Sequence, residues 1–273
     1  MVVLITGCRS GFGLLAAQEL AERGHTVVAG LRDLSTAGPL RAATAGRDVQ
    51  PVQLDVTSRE QVQQVIAEVR ANHGRLDGLV NNAGIGLGGF LEQVDDDEMQ
   101  RLFEINVFAV HRLTREALPL LRASRGSVVM VSSMSGQLAL PALGAYAASK
   151  FALEGMSEAW RHELRPFGVR VTLVEPGPYK TDIFGRNRNE ARRAREPSSP
   201  YATYVQRIDG ELDAVDRRAG DARDVARRIA DLLEHPDPPL RHPMGPGSLL
   251  RRATKRLAPF RWWEAAIRRR LMY

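Results

Sequence analysis

Strand-like apolar runs alternate with amphipathic helical stretches along most of the chain, and this alternation restricts the fold more than any other feature. The runs occupy residues 2–6, 26–30, 49–54, 76–81, 127–132 and 169–175. Such alternation is typical of a parallel sheet with helices on both faces and right-handed crossovers. The sequence therefore predicts an α/β fold, a doubly wound parallel sheet whose ligand lies beyond the carboxyl ends of the strands.

The length of 273 residues fits one such domain and is too short for two of ordinary size. We expect the domain to span residues 1–240. Within it, residues 182–215 interrupt the alternation with a polar segment and the breaker sequence at 196–200. Residues 241–273 form a separate extension. Residues 240–273 contain nine basic residues and one acid.

Several absences bear on the setting of the protein. No apolar run reaches the eighteen residues of a membrane-spanning helix, and the first strand begins at Val2, which leaves no room for a signal peptide. The single cysteine, Cys8, fits a reducing compartment. We therefore expect a cytoplasmic protein. No Cys/His cluster has the spacing of a metal site, so no metal is expected.

A glycine-rich turn follows the first strand and opens a helical pattern. Gly7, Gly11 and Gly13 have the spacing G-x-x-x-G-x-G. Glycines at such a turn let the backbone approach a pyrophosphate, and the helix N-terminus favours its negative charge. The turn predicts a dinucleotide site, with an ordinary turn as the alternative for this motif alone.

Tyr146 and Lys150 lie four residues apart at the start of a helical stretch, so both side chains share one face. A phenol ionises near pH ~10, and a neighbouring ammonium favours the phenolate. We expect Lys150 to lower the pKa of Tyr146 and to make it usable as a general acid and base. The pair alone is a weak signal, because this spacing is common on helices.

Three further motifs occur in order around this pair. They are Asn81-Asn82-Ala83-Gly84 after the fourth run, Ser132-Ser133 at the end of the fifth, and Pro176-Gly177 with Thr181 after the sixth. Together with the glycine turn they resemble the short-chain dehydrogenase/reductase family, over residues 2 to about 182. The glycine loop and the residues after Lys150 resemble the 17β-hydroxysteroid and retinol dehydrogenase branch of that family.

The resemblance implies a Rossmann-like catalytic domain with a substrate lid at about 182–215; a plain surface loop is the alternative for that segment. It implies Tyr146 as general acid in ketone reduction and as base in alcohol oxidation. Ser133 would hold the substrate oxygen, Lys150 would contact the nicotinamide ribose, and Asn106 would hold a water behind the lysine. The residues implied in cofactor binding are Gly7, Arg9, Ser10, Gly11, Phe12, Gly13, Arg32, Asp55, Val56, Asn82, Ala83, Gly84, Tyr146, Lys150, Pro176, Gly177 and Thr181.

The end of the second strand bears on the choice between NAD and NADP. An NAD enzyme usually has an acid there, and this chain has Leu31 followed by Arg32. Arg32 and Arg9 supply two guanidiniums for a 2′-phosphate. Asp33 argues for NAD, but it comes two positions too late to face the ribose. We therefore expect NADP(H).

The branch resemblance implies a bulky apolar alcohol or ketone as substrate. Candidate wall residues are Ile85, Leu87, Leu138, Leu140, Leu143 and Tyr179. A reductase of carrier-bound 3-oxoacyl groups and a non-catalytic NADP-sensing protein are the rival functions. The family also commonly pairs through long helices, here near 95–120 and 146–165, which implies a homodimer or tetramer.

The basic extension places Trp262, Trp263 and Ile267 beside arginines at helical spacing, which predicts a short amphipathic helix. We expect this helix to pack its apolar side on the domain. Peripheral contact with an anionic membrane or with an acidic protein is the alternative. Nucleic acid is not expected as a partner.

Overall fold

One parallel sheet organises the molecule. A computed structural model describes residues 1–180, 189–216, 219–248, 254 and 257–272. In this part of the chain the strands are β1 (Val2–Thr6), β2 (Thr26–Leu31), β3 (Val49–Gln53), β4 (Gly78–Asn81), β5 (Ser127–Val131), β6 (Arg170–Pro176) and β7 (Arg241–Met244). They lie in the order β3-β2-β1-β4-β5-β6-β7, and every neighbouring pair is parallel. The predicted doubly wound fold is confirmed.

Helices cover both faces of the sheet. Those of the described residues are α1 (Gly11–Glu22), α2 (Gly38–Ala43), α3 (Arg59–His73), α4 (Asp96–Phe103), α5 (Ala109–Ser124), α6 (Gly144–Leu164), α7 (Ala202–Asp216), α8 (Ala222–Glu234) and α9 (Phe260–Ile267). Successive residues of a strand point to opposite faces. Leu4 of β1 therefore packs in the core formed with α3, α5 and α6, while Val3 and Ile5 pack in the core formed with α1 and α8.

Local signals set the ends of the helices that flank the site. The Ser58 side chain accepts a hydrogen bond from the Gln61 amide at the start of α3, and Gly74 ends that helix in the left-handed conformation. The Asp221 carboxylate accepts from the Arg223 amide at the start of α8. Such caps are worth ~1 kcal/mol each and fix where the chain turns back to the sheet.

The structure differs from the sequence prediction at the seventh strand. β7 has four half-buried residues, one of them Pro243, and pairs only with β6 at the edge of the sheet. It lacks the apolar alternation by which a strand is recognised, so periodicity does not detect it. Residues 241–244 are therefore part of the sheet, and the extension follows Met244.

The described part of the extension contains α9, which has no buried residue. Leu257, Phe260 and Trp262 are 84%, 74% and 64% exposed. Of the apolar side that was expected to pack on the domain, Trp262 is exposed and Trp263 and Ile267 are half-buried, so this packing stays a prediction. Among the described residues, no helix combines the length and the apolar character that crossing a bilayer requires.

Candidate active site

The glycine turn brings three stretches of backbone unusually close together. Gly7 and Gly11 have φ of +74° and +58°, which side chains rarely tolerate. A Cβ on Gly13 would lie within 2.5 Å of Asn82 Nδ2 and closer still to the Gly7 carbonyl oxygen. Each of these positions needs glycine for a steric reason.

The same turn leaves the first turn of α1 open to a ligand. Ser10 stands at the N-cap of α1 without a side-chain capping hydrogen bond, and no acid lies in the first turn. The leading amides and the positive end of the helix dipole face the carboxyl edge of the sheet. This cradle fits the pyrophosphate of a dinucleotide.

The loop after β4 is tied to this turn. Asn82 Nδ2 donates to the carbonyls of Thr6 and Gly7 at 2.8 and 3.2 Å, and Thr6 Oγ1 accepts from the amides of Asn82 and Ala83 at 3.0 and 2.9 Å. The Asn81 side chain points elsewhere, and its Nδ2 donates to Thr114 Oγ1 of α5 at 2.9 Å. Asn82 therefore shapes the phosphate turn, whereas Asn81 joins β4 to α5.

Asn106 lies in a π-helical segment, Glu104–Phe108, between α4 and α5. Its Nδ2 donates to the Ile85 carbonyl at 2.9 Å and to Ser149 Oγ at 3.1 Å, and its Oδ1 accepts from the Ile85 amide at 2.9 Å. The side chain thus fixes the loop after β4 against α6. The π-bulge is a feature that the apolar pattern of the sequence does not show.

Ser133, Tyr146 and Lys150 come together where β5 ends and α6 begins. Tyr146 is 3% exposed and hydrogen-bonds with the Ser133 side chain. Lys150 Nζ lies 5.8 Å from the centre of the Tyr146 ring and donates to the Val131 carbonyl at 2.9 Å. A Cβ on Gly84 would lie 3.7 Å from the same Nζ, so the loop after β4 lies beside the lysine ammonium.

The electrostatics of this group differ from the prediction. Burial raises the pKa of Tyr146 to about 12, against the smaller lowering by the hydrogen bond with Ser133. Burial lowers the pKa of Lys150 to about 8, against the opposing charge of Glu154. The pKa of Tyr146 is therefore raised and not lowered as expected, because burial outweighs the hydrogen bond with Ser133.

Leu31 ends β2 at the carboxyl edge of the sheet, and Arg32 and Asp33 follow it. Leu31 is buried, whereas Arg32 and Asp33 are exposed. The Asp33 carboxylate accepts from the Ser35 amide at 2.9 Å, so it caps the following turn. Asp55 lies next along this edge, where its carboxylate accepts from Thr57 at 2.9 Å (amide) and 2.7 Å (hydroxyl). Arg9 and Val56 lie on the loops of the same edge.

The Pro176-Gly177 motif ends β6 as the spacing predicts, and the Gly177 amide donates to the Met244 carbonyl at 2.9 Å. Thr181 lies outside the described residues. Tyr179 packs edge-on against Phe12 of α1 at 5.9 Å, and a Cβ on Gly220 would lie 2.7 Å from its ring. Tyr179 therefore packs against the glycine turn, and its place in the substrate wall stays a prediction.

An apolar cluster covers Tyr146. Its buried members are Leu87, Leu102, Ala145, Tyr146, Ala191 and Ala194, with Ile85 packed against them. Leu138, Leu140 and Leu143, which come shortly before Tyr146 in the sequence, are half-buried. Ala191 and Ala194 come from the segment predicted as a lid.

The described part of that segment is pinned to the loop before α4. Arg192 pairs with Asp95 and Asp97 at 2.8 and 2.5 Å, and Gln93 Nε2 donates to the Arg193 carbonyl at 3.1 Å. The Tyr201 ring stacks on Phe90 at 4.1 Å. These contacts, which join residues a hundred positions apart, have no signal in the sequence.

Comparison with known proteins agrees with this geometry. The sequence profile of the family described as short chain dehydrogenase matches residues 1–192. An uncharacterized oxidoreductase of Bacillus subtilis, YusZ, is 37% identical over 99% of this chain and 98% of its own length. The 3-ketodihydrosphingosine reductase of Bacteroides thetaiotaomicron is 35% identical (90% and 88% covered), and retinol dehydrogenase 8 of Bos taurus is 38% identical (88% and 80% covered).

Two solved structures share the fold. The crystal structure of a short-chain dehydrogenase from Streptomyces avermitilis has a TM-score of 0.82 at 36% identity and covers 97% of this chain and 98% of its own. ElxO, solved with NADP bound, has a TM-score of 0.70 at 26% identity and covers 85% and 90%.

Proposed function

Because the chain belongs to the short-chain dehydrogenase/reductase family, we propose that it transfers hydride between NADP(H) and a bulky apolar ketone or alcohol, with Tyr146 as general acid and base. The observation that carries this proposal is the buried Tyr146 hydroxyl, held by Ser133 beside Lys150 at the edge of the sheet where the glycine turn lies. Bound NADP(H) would supply the hydride.

The residues of the chain account for binding and proton transfer. Gly7, Gly11 and Gly13 admit the pyrophosphate, and Asn82 holds their turn in shape. Ser133 orients the substrate oxygen towards the phenol. Since the pKa of Tyr146 is about 12, the phenol is protonated at neutral pH and is ready to donate to a ketone oxygen.

NADP(H) is supported by the exposed Arg32, by the position of Arg9 in the glycine turn and by the engagement of Asp33 in a cap. The structural relative ElxO, solved with NADP bound, agrees with this choice. The test is the ratio of kcat/KM for NADPH to that for NADH. A preference for NADH would overturn the cofactor assignment.

A bulky apolar substrate is supported by the cluster of Leu87, Ala191 and Ala194 over Tyr146. The named activities of the relatives, on retinol and 3-ketodihydrosphingosine, involve molecules of this kind. The experiment is an NADPH-oxidation screen over steroid, retinoid, long-chain and small aliphatic ketones. Turnover confined to small aliphatic ketones would contradict this substrate class.

The rivals make different predictions in the same screen. A 3-oxoacyl reductase would turn over carrier-bound ketones faster than free ones. A non-catalytic NADP-sensing protein would bind the cofactor and turn over nothing. The presence of Asn106, Ser133, Tyr146 and Lys150 in one buried group favours catalysis over sensing.

The exposed residues of the extension favour peripheral contact of the protein with an anionic membrane. Phe260 and Trp262 are exposed on α9, together with Arg261, and Arg268 and Arg269 follow it. An exposed aromatic face with a cationic surround suits the headgroup region of an anionic bilayer. Phe260→Ser with Trp262→Ser should abolish co-sedimentation with phosphatidylserine vesicles and leave ketone reduction intact; unchanged sedimentation would refute the contact.

A cytoplasmic location stays a prediction from the sequence. A homodimer or tetramer is also part of this proposal, since Phe108 and Phe151, on the segments expected to pair, are 54% and 43% exposed. Analytical ultracentrifugation tests it, and a monomer at micromolar concentration would contradict it.

A further inference from the structure

A buried carboxylate lies one helical turn beyond the catalytic lysine. Glu154 is 5% exposed on α6, four residues after Lys150, so the two side chains share one face of the helix. An ionised carboxylate away from water is costly unless it is paired and hydrogen-bonded. The position therefore needs a reason beyond packing.

The partner of Glu154 comes from the edge strand. Arg241 Nε of β7 donates to Glu154 Oε2 at 2.8 Å, while its Nη2 donates to Glu158 Oε2 at 2.6 Å. Glu175 of β6 lies 3.6 Å from the same Arg241 Nε. One guanidinium thus meets three carboxylates, and the group carries excess negative charge next to Lys150.

The second oxygen of Glu154 is not engaged by Arg241. Glu154 Oε1 is buried and has no hydrogen-bond partner among the described residues. Ser132 Oγ, just before the catalytic Ser133, is in the same condition. A Cβ on Gly136 would lie 2.8 Å from Ser132 Oγ and 2.9 Å from Glu154 Cγ, so both side chains pack closely against Gly136.

We propose that Glu154, held by Arg241, is a positioning residue that keeps Lys150 protonated in its buried site. The proposal rests on the proposed function for its meaning in catalysis, since only a charged Lys150 can assist Tyr146 and bind a ribose hydroxyl as an ammonium donor. The direction of the Lys150 pKa agrees, because Glu154 is the group that opposes the lowering by burial.

The other groups around Lys150 are less suited to the same role. Tyr146 shares its helix and is neutral at physiological pH. From the opposite side Gly84 and Asn106 approach, and neither titrates. Glu175 and Glu158 both contact Arg241, Glu175 also accepts from Gln137 Nε2, and Glu158 is half-exposed. Glu154 is therefore the carboxylate best placed to act.

The composition of the chain allows a direct measurement. Lysine occurs only as Lys150, Lys180 and Lys255, so ¹³C labelling of the lysine side chains gives three NMR signals. The signal of Lys150 is assigned by its loss in Lys150→Met. Its titration is followed in the full-length protein without cofactor or substrate, so the result does not depend on the proposed activity.

Glu154→Gln should move the titration midpoint of the Lys150 side chain to lower pH by about one unit, since an opposite charge at this range shifts a pKa by ~1 unit or more. Glu158→Gln is the matched control, because it also removes a carboxylate from Arg241 but lies in solvent; it should leave the midpoint within ~0.3 units. Arg241→Gln should move the midpoint upward, because it leaves Glu154 uncompensated.

Opposite shifts from the two partners of one ion pair distinguish this role from loss of packing. An unchanged midpoint in Glu154→Gln overturns the proposal. Should that variant not fold, Arg241→Gln decides alone, and an unchanged or lowered midpoint overturns the proposal.

In the active enzyme, Glu154→Gln should also move the alkaline limb of the pH profile of kcat to lower pH, while Glu158→Gln should not. A shifted midpoint with no turnover in any variant would leave the role of Glu154 standing and reject the proposed function instead.

Discussion

Replacing Tyr146 by phenylalanine tests the proposed chemistry at the atom that performs it. The variant keeps the ring among Leu87, Ala191 and Ala194 and removes only the hydroxyl that bonds with Ser133. Loss of a general acid costs ~10²–10⁴-fold in rate, which is about 3–5 kcal/mol of transition-state stabilisation. Turnover of the ketone found in the screen should fall by that factor.

The folded state should change far less. One buried hydrogen bond is worth ~1 kcal/mol, and in a domain of this size that moves the melting temperature by about 2–4 °C. NADPH affinity, measured by fluorescence, should stay within ~3-fold, because no phosphate contact is altered. Tyr179→Phe is the matched control: this tyrosine is also buried, the variant keeps the ring that packs on Phe12, and turnover should stay near that of the wild type. Wild-type turnover in Tyr146→Phe would refute the assignment.

Three further predictions concern the cofactor site and the buried charges. Gly13→Ala should weaken NADPH binding at least ~10-fold, because its Cβ would collide with the Gly7 carbonyl and Asn82 and displace the phosphate turn; unchanged affinity in isothermal titration would contradict this. Arg32→Ala should reduce the preference for NADPH over NADH by ~10-fold or more in kcat/KM, through loss of a charged contact to the 2′-phosphate. The free energy of unfolding should rise between pH 8 and pH 10.5, because the pKa of Lys150 is about 8 in the fold against 10.5 unfolded and the unfolded chain therefore binds more protons in this window. The rise is ~3 kcal/mol at most and should vanish in Lys150→Met. Above pH 10.5 the free energy of unfolding should fall, because the unfolded chain loses the Tyr146 proton while the fold, with its raised pKa, retains it.

The sequence was sufficient to predict the fold and the positions of the motifs because both follow from chain order. Parallel strands place their carboxyl ends at one edge, so Gly7, Asn82 and Ser133 meet there whatever the details of packing. The helical spacing of Tyr146 and Lys150 likewise fixes their proximity before any tertiary contact is known.

Other features depend on contacts that no local pattern encodes. β7 is a strand because Arg241–Met244 pairs with β6, and its own residues carry no strand signal. The cap that Asp33 forms on Ser35 and the edge-on packing of Tyr179 against Phe12 likewise appear only in the fold. The acid at Glu154 is visible four residues after Lys150, but its burial and its ion pair with Arg241 are visible only in the fold.

Spacing and surroundings decide different properties of the Tyr146–Lys150 pair. At the 5.8 Å that separates Lys150 Nζ from the centre of the Tyr146 ring, a full charge in an effective dielectric of ~20 would stabilise a negative charge on that ring by about 3 kcal/mol, or ~2 pKa units. Complete burial shifts a pKa by as much as 3–5 units in the other direction, and here burial also disfavours the charged form of Lys150. The sum is a tyrosine whose pKa rises to about 12 beside a lysine whose pKa falls to about 8. Burial therefore leaves Tyr146 a proton donor rather than a base despite the nearby ammonium, and its use as a base requires added negative charge that keeps Lys150 protonated, which is the role that Glu154 is placed to perform.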